Sequence, residues 1–68
     1  MKNLVKEIVE GILEAADELH ANKDRDLVQQ GELIGYSESL CIIRDALAGH
    51  DLSEYGLDFD IDGKYLLN

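Results

Sequence analysis

The sequence predicts a mainly α protein: an antiparallel helical hairpin followed by a short helical turn and a β-hairpin, dimerising into a four-helix bundle. Three observations carry this expectation. Apolar residues recur at steps of three and four over two long stretches, the period of a helix with one buried face. The stretch between them, Asn22-Lys23-Asp24-Arg25-Asp26, has no apolar anchor and is short enough to force antiparallel packing. After Gly56 the period drops to two, as in a half-buried strand.

The first helix is expected over about residues 3–21, with Asn3 as N-cap and a stripe of Leu4, Val5, Ile8, Ile12, Ala15, Ala16 and Leu19 that Val9 and Leu13 widen on one flank. Asp24 or Asp26 is placed to cap the second helix, expected over about residues 26–48. That helix carries two apolar stripes. Leu33, Tyr36, Leu40, Ile43 and Leu47 follow coiled-coil spacing. Leu27, Ile34, Cys41 and Ala48 step by sevens on another side, beside Gly31, Gly35 and Ile42. One stripe can pack on the first helix; the other then needs a second partner, and a homodimer supplies it. Leu27, Ile34, Cys41 and Ile42 are the expected interface.

Asp51 and Glu54 have capping-box spacing and Gly56 follows, which predicts one helical turn over about residues 52–55. In Leu57-Asp58-Phe59-Asp60-Ile61-Asp62-Gly63-Lys64-Tyr65-Leu66-Leu67, apolar and acidic residues alternate up to an Asp-Gly pair. That pair is a two-residue type I′ turn signal, so a β-hairpin is expected over about residues 57–67. Asp58, Asp60, Asp62 and Gly63 also match the opening of an EF-hand calcium loop, whose ligands come from positions 1, 3 and 5, with glycine at 6 and a bidentate Glu at 12. Position 12 falls one residue beyond Asn68, so the three aspartates remain a weak metal candidate and the hairpin accounts for more of the residues.

The chain has 68 residues, expected to form a single domain, with marginal stability unless a partner contributes. Fifteen acidic against six basic side chains give a net charge of -9, which disfavours direct contact with nucleic acid or anionic membrane and favours a basic partner. The 46% hydrophobic content argues for a folded chain. The lone Cys41 fits a reducing compartment, no apolar run is long enough to span a membrane, and glutamates interrupt the N-terminal stretch where a signal peptide would be apolar. Together these predict a cytoplasmic protein.

Glu7, Glu10, Glu14, Asp17 and Glu18 line the side of the first helix opposite its stripe, a ridge about 16 Å long. Such a ridge approaches the charge spacing of a nucleic-acid strand, which raises an alternative in which the protein inhibits a basic nucleic-acid-binding protein by mimicry. Asp17 and His20 form an acid-x-x-His pair, but the bundle metal sites that use this spacing need two such pairs. No phosphate loop, nucleophile triad or zinc spacing is present, so neither catalysis nor a cofactor is expected.

The segment Gly31-Glu32-Leu33-Ile34-Gly35-Tyr36-Ser37-Glu38-Ser39-Leu40, followed by Asp51-Leu52-Ser53-Glu54-Tyr55-Gly56-Leu57, resembles short uncharacterised bacterial proteins. In these a Leu-Ile-x-Tyr-x-Glu-x-Leu helix precedes an Asp-Leu-x-x-x-Gly-Leu segment. The resemblance covers about half of the chain and implies an acidic two-helix protein of bacterial or mobile-element type. It implies no activity and no functional residue.

Overall fold

The computed structural model describes residues 2–67. Two long helices, α1 (Lys2–Ala21) and α2 (Leu27–Ala46), pack as a hairpin; a 3₁₀ turn (Leu52–Tyr55) and a short helix α3 (Ile61–Tyr65) follow. Helix α1 begins at Lys2, so Asn3 lies inside its first turn instead of capping it.

The hairpin turn is held by side chains. The Arg25 guanidinium donates to the carbonyls of Leu19, His20 and Asn22 at 2.9–3.0 Å. It thereby occupies acceptors that the end of α1 leaves without intrahelical partners, and it sets a positive charge at the negative end of the helix dipole. Its Nε donates to Gln30 Oε1 at 2.8 Å, tying the turn to α2. Asp26, not Asp24, caps α2 through a reciprocal box: the Gln29 amide donates to the Asp26 carboxylate at 2.7 Å, and the Asp26 amide donates to the Gln29 side chain at 3.1 Å.

Val5, Val9, Ile12, Ala16 and Leu19 form the inner face of α1, with Val9 and Ala16 fully buried. The face is therefore turned from the expected stripe: Leu4 and Ile8 remain about half exposed, at 51% and 50%, and Val9, expected on the flank, lies at the centre. Helix α2 buries Leu33, Ser37 and Leu40, with Tyr36, Ile43 and Leu47 packed beside them. Ser37 tolerates this because its hydroxyl donates to the Leu33 carbonyl one turn back, at 3.0 Å. Helix α2 ends at Ala46 with Leu47 as C-cap, two residues short of the expected limit.

Asp51 caps the 3₁₀ turn by accepting from the Ser53 amide, and Gly56 closes it at φ 72°. That left-handed conformation favours glycine over residues with a side chain.

The expected β-hairpin at residues 57–67 is replaced by α3, and no strand occurs among the described residues. A type I′ turn needs positive φ at both central residues, and neither Asp62 nor Gly63 has it. Instead Asp60 is an N-cap, accepting from the Gly63 amide at 3.1 Å, and a Cβ on Gly63 would collide with that carboxylate. The deciding force is burial. A hairpin would put Ile61 and Tyr65 on opposite faces, whereas a helix puts residues four apart on one face, and both are essentially fully buried.

Leu57, Ile61, Tyr65 and Tyr55 thus complete a core with Val9, Ala16, Leu33 and Leu40. Replacing Asp26 by alanine should lower stability by about 1 kcal/mol, the usual cost of losing such a cap. Asparagine should restore most of it; thermal unfolding followed by circular dichroism checks both.

Candidate functional site

Helix α2 has two faces of different fate. At 3.6 residues per turn, Ile42 falls opposite Leu33, Ser37 and Leu40, with Leu27 and Ile34 on the flank that leads toward Cys41. Leu27, Ile34 and Ile42 are 92%, 40% and 68% exposed. Val28, at 72%, borders them, as do Gly31 and Gly35, with Glu38 between Ile34 and Ile42. The face runs about 22 Å along the helix, and its apolar side chains expose on the order of 500 Å², in the upper range for the largest apolar patch of a monomer.

Cys41, expected with this group, is drawn away from it. Half-buried, it meets α3, its Sγ donating to Asp62 Oδ1 at 3.7 Å. Burial first, and the Asp62 carboxylate second, raise its pKa above the ordinary thiol value, which keeps it protonated and unreactive. Val28 was missed in the sequence because its own seven-residue series, through Gly35 to Ile42, is interrupted by a glycine.

On α1, Glu7, Glu10, Glu14 and Glu18 are exposed on the side away from Val9 and Ala16. Asp17 is diverted from this ridge. It accepts from the Tyr65 hydroxyl at 2.6 Å and pairs with the Lys64 ammonium at 3.0 Å. The same ammonium lies 5.2 Å from the Phe59 ring centroid and 5.0 Å from that of Tyr65. His20 packs edge-on against Tyr65 at 5.7 Å, so the acid-x-x-His pair flanks an aromatic ring and serves packing. Partial burial pushes the Asp17 pKa up, but hydrogen bonds from Tyr65 and Lys64, with the Lys64 charge, outweigh it and hold the group below its ordinary value. Burial and the same carboxylate hold the Tyr65 phenol well above its ordinary value. This cluster clamps the C-terminal segment to α1.

Two of the three aspartates of the candidate calcium loop are committed separately, Asp60 to the cap of α3 and Asp62 to Cys41, while Asp58 is exposed. Among the described residues no group of three or more His, Cys, Asp or Glu side chains is gathered to hold a metal ion, and no helix is long and apolar enough to cross a membrane. Asn68 lies outside the described residues. The chain matches no family model, no curated protein and no solved structure.

The clamp predicts a pH signature. Because the folded-state pKa of Asp17 lies below its unfolded value of 3.8, its contribution is present above that pH and is lost as pH falls through the folded value. D17N should therefore be less stable than the parent at pH 7, and the gap should close in acid below pH 3.8. Y65F, which keeps the ring, should cost about 1 kcal/mol at pH 7 because the carboxylate is partly solvated. Paired thermal melts at the two pH values measure both.

Proposed function

We propose that this protein is a homo-oligomeric interaction module without catalysis, which associates with itself through the outward face of α2. The observation that carries the reading is the exposure of Leu27, Val28, Ile34 and Ile42 outside a core that α1, the 3₁₀ turn and α3 already fill. No other segment of the described chain covers that face. Charge favours this side as well. The net charge of -9 opposes self-association in general, but the glutamates of α1 lie on the far side of the hairpin. Two chains meeting through α2 keep those ridges apart while forming a four-helix assembly.

The mass in solution, measured by light scattering at rising concentration, should approach twice the 7.6 kDa of the chain. I34D should remain helical by circular dichroism yet stay monomeric. A parent chain that is monomeric at every concentration overturns the reading, and unfolding of I34D would assign Ile34 to the monomer core.

The exposed row Glu7, Glu10, Glu14 and Glu18 supports a second reading, capture of a basic nucleic-acid-binding protein, although the diversion of Asp17 widens the spacing between its charges. E10Q combined with E14Q should abolish salt-sensitive binding to such a protein. Binding unchanged by the double replacement removes this reading.

A further inference from the structure

The self-association proposed above leaves open how two copies meet, and the outward face of α2 carries an asymmetry that decides it. Going from its N-terminal end, the face reads Leu27 and Val28, then Gly31, then Ile34 and Gly35, then Glu38, then Ile42, then Asp45. Its first half is apolar and carries no charge. Its second half holds both carboxylates.

We infer that a second copy of this chain covers the face with α2 antiparallel to α2, crossing at Gly35, so that Ile42 of each chain packs on Leu27 and Val28 of the other. Rotating the copies to a parallel arrangement would bring Glu38 beside Glu38 near the middle of the face, a repulsion that burial strengthens; Asp45, paired with the Arg44 guanidinium at 3.5 Å, adds less. The antiparallel arrangement instead lays Glu38 over Gly31 of the second copy, where no side chain competes for space.

The glycines support the close approach. A Cβ at either Gly31 or Gly35 would meet nothing within 4 Å in the chain's own structure, and neither residue has positive φ. The monomer has no steric use for them, yet each weakens the helix relative to alanine. Small residues at a helix crossing let the two backbones approach and let Ile34 fill the space beside Gly35. Together with the on the order of 500 Å² of exposed apolar side chain, the backbone bared at the glycines and the stem of Glu38 bring the face toward the roughly 800 Å² per partner of a standard interface.

Orientation is read by cross-linking in a Cys41→Ser background, with L27C and I42C prepared as separate proteins. Under mild oxidation the mixture should give a covalent L27C–I42C pair, while each protein alone stays uncross-linked. In the otherwise unaltered chain, G35A should weaken dimerisation by about tenfold without lowering helicity. Cross-linking of like with like, or a dimer indifferent to G35A, overturns the antiparallel crossing and leaves self-association standing. A parent chain that never dimerises overturns both. If such a monomer protects L27C and I42C from alkylation only when a Lys/Leu amphipathic peptide is added, the face belongs to a basic helix and the inference fails.

Discussion

A pair of helices has a single seam, and the apolar rows of α1 and α2 are too wide for each other alone. Val9, Ala16, Leu33 and Leu40 reach full burial because Leu57, Ile61 and Tyr65 close over one side of that seam. Tyr65 is the central piece: its ring fills the core while its hydroxyl leaves the core to meet Asp17, combining a large apolar body with a satisfied polar tip. The rotation of α1 that buries Val9 and leaves Leu4 and Ile8 half exposed, the covering of Cys41, and the withdrawal of Asp17 from the acidic ridge are consistent with this placement of the C-terminal segment.

The resulting molecule keeps the glutamate row of α1 and the outward face of α2 on different sides, although Leu4 and Ile8 stay half exposed on α1. The glutamates of α1 look outward at one edge of the hairpin and the bare face of α2 at the other, with the core between them. For so acidic a chain this separation matters, because a contact formed among the glutamates would have to overcome their mutual repulsion at short range. The α2 face, with Glu38 as its inner charge, asks for far less compensation.

Much of the helical framework was legible in the sequence. The two helices, their turn, a cap at Asp24 or Asp26 and the Asp51–Gly56 turn follow from local chemistry: periodicity, capping side chains and a glycine that accepts positive φ. The two apolar stripes of α2 were also legible, and the structure assigns the Leu33–Leu40 stripe to the core. What was not legible depends on distant contacts. The phase of α1 is ambiguous in a helix whose apolar residues spread over more than half its circumference, and only packing of the later segment selects Val9 over Ile8. The α3 region misled because Leu57, Phe59 and Ile61 do alternate and Asp62-Gly63 is a turn pair. A five-residue helix is too short to declare a period of its own. The signals present were Asp60 at capping distance from Gly63 and the four-residue spacing of Ile61 and Tyr65. Of the residues expected at an interface, Leu27, Ile34 and Ile42 are exposed, as asking which stripe the hairpin cannot use suggests. The contact between Cys41 and Asp62, 21 positions apart, could not be found that way.

The clamp between Tyr65 and Asp17 joins positions 48 apart in sequence, whereas the helical hairpin closes over a five-residue turn. Closing so long a loop costs more chain entropy than closing the hairpin turn, so the clamp is expected to form after the hairpin as the chain folds. Until it does, the seam of the hairpin stays open to solvent. The last piece of its core is therefore also what ends its exposure to misassembly.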